Sequence, residues 1–104
     1  MSTRARVTMK DYDGESYCYS LFCDGYPEGV ISYLPEGKVN YEKLRQNMRL
    51  SDVYENTPDY LYEIDLVEER IQIYRPDCTK YLWCKGEQIF DGTFSEAKKR
   101  YPKL

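Results

Sequence analysis

From Ala5 to Tyr12, apolar and polar side chains take turns: Ala5, Val7 and Met9 fall on one side, and Arg4, Arg6, Thr8 and Lys10 on the other. That period of two predicts a half-buried strand with a basic outer face. Asp13-Gly14 is a hairpin signal, and a type I′ turn is expected because both of its central residues take positive φ. The return strand, Glu15 to Asp24, sets Tyr17, Tyr19 and Leu21 on one face and Ser16, Cys18, Ser20 and Phe22 on the other. Past Asp24-Gly25, Pro27 suits the first turn of a helix, with Val30, Ile31 and Leu34 as its apolar stripe and Pro35 and Gly37 at its end. Asn40 is positioned to cap a second helix reaching about Leu50, apolar through Tyr41, Leu44 and Met48 and basic through Lys43, Arg45 and Arg49.

The second half reads as an antiparallel meander. Tyr60, Tyr62, Ile64 and Leu66 alternate with Leu61, Glu63 and Asp65, and a turn at Val67-Glu68-Glu69 leads to Ile71 and Ile73 alternating with Gln72 and Tyr74. Pro76-Asp77 turns the chain into a strand over Tyr81 to Lys85, and Gly86-Glu87 returns it into Gln88 to Asp91. Thr93-Phe94-Ser95-Glu96 is a capping box, opening a final helix whose Lys98, Lys99 and Arg100 suit the negative end of its dipole. The fold expected is α+β: one mostly antiparallel sheet of about six strands with two or three short helices on one face, all in a single domain over residues 1–104.

Composition changes this picture in one respect. Leu, Ile, Val and Phe together supply only 21 residues, at the margin for a stable core, while 12 Tyr add large amphipathic surfaces. Tyrosine is therefore expected in the core and on the surface. A net charge of -3 gives no general attraction to nucleic acid or anionic membrane. No apolar run follows Met1–Arg6 and none is long enough to span a bilayer, so the expectation is a cytoplasmic protein without a membrane partner.

The absence of histidine removes the usual neutral-pH base and every His-containing zinc site. Cys18, Cys23, Cys78 and Cys84 are spaced more loosely than a zinc knuckle, and Cys18 and Cys23 differ in strand parity. Free thiols are expected. No cofactor, metal or catalytic residue is assigned, and the protein is read as not an enzyme.

Arg4-Ala5-Arg6-Val7, Tyr17-Cys18-Tyr19-Ser20 and Asp24-Gly25-Tyr26-Pro27-Glu28-Gly29-Val30 resemble a family of small phage and prophage proteins. In that family a strand-turn-strand leads through a Cys-His-Trp-Asp-Gly-Tyr-Pro-like motif into a helix. Gly86 to Thr93 and the closing helix look like its final hairpin. The resemblance covers about half the chain, and its distinctive part is the Asp-Gly-Tyr-Pro block. Phe22-Cys23 stands where the family commonly has His-Trp, so no role of that histidine carries over. What the resemblance implies is context: small accessory phage proteins that often inhibit host defence, by binding a protein stoichiometrically or by sequestering a signalling nucleotide.

Candidate binding residues are Asp24, Tyr26 and Glu28 in the strand-to-helix block, and Glu63, Asp65, Glu68 and Glu69 as an acidic patch. Gly25 and Gly29 can expose backbone N–H groups to an anion at a helix start, or can simply relax a tight turn beneath Tyr26. Asp24 and Glu28 repel phosphate, which favours the turn. The carboxylates can do acid–base chemistry, hold a hard metal, or only solvate a strand face. The function expected is phage-derived, anti-CRISPR-like inhibition of a host-defence protein or complex through an acidic, Tyr-rich surface. The alternative is a homo-oligomeric sponge holding a signalling nucleotide between protomers, and a third reading is a phage housekeeping protein. Scattered basic residues favour the protein binder, and an Arg/Tyr-lined pocket between subunits favours the sponge.

Overall fold

Alternation becomes burial along β1 (Ala5–Lys10): Ala5, Val7 and Met9 are fully shielded, while Arg6, Thr8 and Lys10 are half-buried. The computed structural model describes residues 3–53, 58–77 and 85–103. Among them, β1 is followed by β2 (Ser16–Leu21), α1 (Pro27–Ile31), α2 (Tyr41–Asn47), β3 (Tyr60–Asp65), β4 (Arg70–Pro76), β5 (Lys85–Thr93) and α3 (Phe94–Arg100). The strands form one sheet in the order β2-β1-β3-β4-β5. Val30 and Ile31 of α1, Leu44 of α2, and Phe94 and Ala97 of α3 share one core with the buried residues of β1, β3 and β4. The fold is α+β, with the helices on one face of the sheet and mostly polar side chains, with the buried Leu61, on the other. No helix among the described residues is long and apolar enough to cross a membrane.

The sheet is mostly antiparallel, as expected, with three of its four pairings antiparallel; the strand count and the pairing of β1 with β3 differ from the expectation. The described residues hold five strands, and β1 and β3 run parallel, Ala5 beside Tyr60 through to Lys10 beside Asp65. Parallel neighbours cannot be joined by a tight turn, so the chain from β2 crosses the sheet through α1 and α2 before entering β3. The strand expected over Tyr81–Lys85 lies outside the described residues except for Lys85. No return forms at Gly86-Glu87, because both residues lie inside β5. Gly86 is there for close approach: a Cβ would sit 2.8 Å from the Arg75 carbonyl oxygen. Register shifts against β4 at Ile73/Tyr74 and Tyr74/Pro76 each add one residue on the β5 side, the mark of β-bulges.

The first hairpin forms where expected but with a different turn. Gly14 N–H donates to the Asp11 carbonyl at 3.0 Å, and Asp11 N–H to the Glu15 carbonyl at 2.8 Å. Gly14 is left-handed at φ +86°, while Asp13 is not. A three-residue loop, a type I turn followed by a left-handed glycine, therefore replaces type I′. β2 ends at Leu21, short of Asp24, and α1 ends at Ile31, although Leu34 stays buried beyond it.

The helix ends follow local chemistry. Asn40 Oδ1 accepts from Lys43 N–H at 3.0 Å, capping α2 as expected. At its other end Leu50 N–H reaches the Arg45 carbonyl at 3.1 Å and Arg49 N–H the Gln46 carbonyl at 3.0 Å, a Schellman arrangement. Arg49 holds the left-handed position, φ +57°, usually given to glycine. In α3, Glu96 N–H donates to Thr93 Oγ1 at 3.1 Å and Thr93 N–H to Glu96 Oε1 at 2.9 Å, so the capping box is formed. The hydrogen bonds from the Thr93 backbone N–H and side chain hold the Glu96 carboxyl below its ordinary range.

Two stability changes of opposite sign are expected in urea denaturation. Arg49→Gly relieves the left-handed strain and stabilises by about 1 kcal/mol, whereas Thr93→Ala removes the cap and costs about 1 kcal/mol. Because the Glu96 pKa is lowered on folding, its contribution is complete above the ordinary glutamate range and is lost as pH falls through the lowered value. The deficit of Glu96→Gln relative to wild type should therefore be present at neutral pH and shrink in acid.

Candidate functional site

The block Asp24–Val30 is first a structural joint. Gly25 N–H donates to the Thr3 carbonyl at 2.9 Å, and a Cβ on Gly25 would lie 2.9 Å from the carbonyl carbon of Arg4. Asp24 accepts a left-handed backbone, φ +57°, and Pro27 sits in the first turn of α1 without leaving an N–H unmet. From β3, the buried Tyr62 hydroxyl donates to the Gly25 carbonyl. Burial pushes the Tyr62 phenol above its ordinary pKa, so it remains a donor. Both glycines are used for close packing, Gly29 against the Asp24 carbonyl. Asp24, Tyr26 and Glu28 line an open depression of about 160 Å³ that also includes Lys103.

The acidic residues of the second half lie elsewhere. The register from Ala5–Leu21 to Lys10–Ser16 spans five residue steps, about 16 Å, and Asp65 lies at the Lys10 end. Glu63 and Asp65 project from the open face of the sheet into a depression of about 290 Å³ shared with Thr8, Lys10, Arg70 and Gln72. This is not a bare acidic patch. Glu63 holds Lys85 Nζ and keeps that ammonium above its ordinary range through their hydrogen bond, Lys10 Nζ is 4.0 Å from Asp65, and Arg70 binds Asp91 at 3.0 Å. Asp65 Oδ1 also accepts from the N–H groups of Val67 and Glu68, at 2.9 and 3.0 Å, shaping the β3–β4 turn. Glu68 and Glu69 of that turn are exposed, Glu69 with φ +54°.

The fold thus brings Glu63, Asp65, Glu68 and Glu69 to one end of the sheet and leaves Asp24, Tyr26 and Glu28 at the other. It adds a second acidic group, at the first hairpin, to which sequence alone assigned no binding role. Asp11, Asp13 and Glu15 of the β1–β2 loop lie at the Glu68–Glu69 end, about 10 Å away by strand spacing. None of these three is in an ion pair among the described residues. Tyr17, 39% exposed, donates its hydroxyl to Asp13 Oδ2 at 3.2 Å, and its ring centroid is 5.6 Å from that of Tyr41. The Asp13 charge, with desolvation, the hydrogen bond to Asp13 and the charges of Asp11 and Glu15, raises the Tyr17 pKa. Tyr41 is anchored through a 2.6 Å hydroxyl–hydroxyl bond to Tyr19, whose ring lies beneath the Arg45 guanidinium. Three carboxylates within five residues, followed by tyrosine at strand parity, were the available signal.

The remaining candidate chemistry is dispersed. Arg4, Arg6 and Lys10 go to the open face or its margin, while Lys43, Arg45 and Arg49 are on or just past α2 and Lys98 to Arg100 on α3. Arg45 is paired with Glu42 and Asp52, and Lys98 with Glu36. Cys18 is exposed on the open face, 2.9 Å from Arg6, and Cys23 is exposed beyond the end of β2; Cys78 and Cys84 lie outside the described residues. Among the described residues no three His, Cys, Asp or Glu side chains are grouped to hold a metal ion. Comparison of the chain with protein-family models, with curated proteins and with solved structures finds no match.

The joint makes its own prediction. Tyr62→Phe keeps the ring but strands the Gly25 carbonyl, and should cost about 1–3 kcal/mol in chemical denaturation. A cost near zero would mean that the bond does not anchor the turn.

Proposed function

We propose that this protein is a non-enzymatic, phage-derived inhibitor of a host-defence component, anti-CRISPR-like in acting by stoichiometric protein binding. The binding surface is the acidic end of the sheet: Asp11, Asp13 and Glu15, with Glu68 and Glu69 beside them and Tyr17 in their midst. The observation that carries this reading is that the three loop carboxylates have no ion-pair partner among the described residues, while Glu63, Asp65 and Asp91 on the neighbouring face are paired. Unpaired charge steers a partner of opposite sign, and an exposed tyrosine supplies rigid contact area with a polar tip. A partner surface rich in Lys and Arg, of the kind that otherwise holds nucleic acid, is complementary to it. The phage and host-defence context comes from the resemblance of the Asp24–Val30 block.

The nucleotide sponge is the weaker alternative. It needs arginine and tyrosine converging on one pocket, and the basic groups here are spread over the open face, α2 and α3, several already bound to carboxylates.

Native mass spectrometry of the tagged protein, recovered from infected or defence-expressing bacteria, tests the reading. A partner of tens of kilodaltons is expected. It should be released at raised salt and bind at least about tenfold more weakly to Asp13→Lys/Glu68→Lys. A partner that binds the charge-reversed protein equally well would refute the acidic surface. Added mass of only a few hundred daltons would favour the sponge.

A further inference from the structure

The strand leading out of the acidic loop has an unused edge. Ser20 N–H donates to the Ser51 carbonyl at 2.8 Å, and Ser51 N–H donates back to the Ser20 carbonyl at 2.9 Å. Both groups of Ser20 therefore point away from β1. In an antiparallel strand these outward pairs recur at every second residue, so Cys18 and Ser16 turn their N–H and C=O groups the same way. The β1 side agrees: the Lys10 and Arg4 carbonyls accept from the N–H groups of Leu66 and Asp59, on the side away from β2. Among the described residues β2 is the last strand on its side of the sheet, and the bridge at Ser51 closes its edge only at Ser20. Among the described residues nothing pairs with the outward backbone groups of Ser16 and Cys18.

We propose, building on the acidic end of the sheet as the docking surface, that β2 takes up a short, extended, cationic segment of a partner protein as an additional strand along Ser16–Cys18. Main-chain bonds to the outward groups of Ser16 and Cys18 supply the pairing. A lysine or arginine of the added strand then lies over the Tyr17–Tyr41 ring pair, within reach of Asp13. The raised phenol pKa of Tyr17 supports this, because the same negative field that holds its proton favours an incoming cation.

A second copy of the chain fits this edge poorly. Two-fold pairing centred on Cys18 sets Ser16 of one protomer against Ser20 of its partner, and Ser20 is already bound to Ser51. Moving the axis to Ser16 frees Ser20 but sets Glu15 opposite Tyr17 and Asp13 opposite Tyr19 of the partner, which crowds the two acidic loops together. A basic segment from another protein meets neither obstacle.

The test uses the full chain, a capped octapeptide of alternating lysine and valine as probe, and its glutamate–valine counterpart as control. With the lysine peptide near saturation, amide hydrogen exchange at Ser16 and Cys18 should slow by about tenfold or more, while Tyr17 and Tyr19, already in the β1 ladder, change little. Cys18→Pro removes an N–H that the fold does not use, so it should keep its circular dichroism spectrum and lose the peptide. Should that variant fail to fold, protection at Ser16 and Cys18 in the wild-type protein decides. The proposal is overturned by no binding of the lysine peptide, by equal binding of the glutamate peptide, or by binding without protection at these two amides. Protection that grows with protein concentration alone also overturns it, in favour of a second copy. Binding without protection leaves the acidic surface intact, whereas that reading fails separately if Asp13→Lys/Glu68→Lys still captures its partner.

Discussion

A single phenol, that of Tyr62, ties together the parts of this molecule that the chain order would otherwise leave apart. Its hydroxyl reaches the carbonyl of Gly25, whose own N–H is held by Thr3 just before β1. One glycine thus connects the entrance of β1, the exit of β2 and the middle of β3. The chain needs such a joint because β3 lies on the opposite side of β1 from β2. To get there it must leave the sheet, run through two short helices and come back in parallel register. Neither α1 nor α2 is long enough to be stable alone. Their positions are set by where the crossover begins and by the apolar face of the sheet they cover.

Much of this was legible in local pattern. The alternation in Ala5–Lys10 and Arg70–Tyr74 separates buried from more exposed positions correctly, whereas in Tyr60–Asp65 it holds for Tyr62 to Asp65 but not for Leu61, which is buried on the polar side, or Tyr60, which is half-buried. Asn40, Pro27 and the Thr93–Glu96 box mark helix starts by chemistry that acts within three residues. What was not legible depends on distant neighbours. The parallel pairing of β1 with β3 has no local signature, and Gly86 reads as a turn until the Arg75 carbonyl beside it is seen. The site behaved in the same way. Glu63 and Asp65 look like an acidic face in sequence, but the cations that answer them come from β1 and β5.

That cross-strand pairing has an electrostatic effect on the whole surface. Exposed ion pairs add little to stability, yet they cancel field. Glu63, Asp65 and Asp91 are each matched by Lys85, Lys10 and Arg70, so the open face is close to neutral over its middle. Asp11, Asp13, Glu15, Glu68 and Glu69, none of them in an ion pair among the described residues, gather at the two turns at one end. A chain of net charge -3 can thereby present a concentrated acidic pole without being strongly acidic throughout.

The bulges of β5 carry a further consequence, for assembly. A sheet with two open edges can recruit copies of itself at both and grow without limit, the geometry of fibres. Here the far edge is broken twice by inserted residues, carries Lys85 and Glu87, and includes Gly86, so it offers no regular ladder to a flat partner strand. Among the described residues the more regular edge is that of β2, where Ser51 already occupies one position. Among the described residues the sheet is therefore irregular along one edge and open over only a short stretch of the other, a geometry that disfavours edge-to-edge growth.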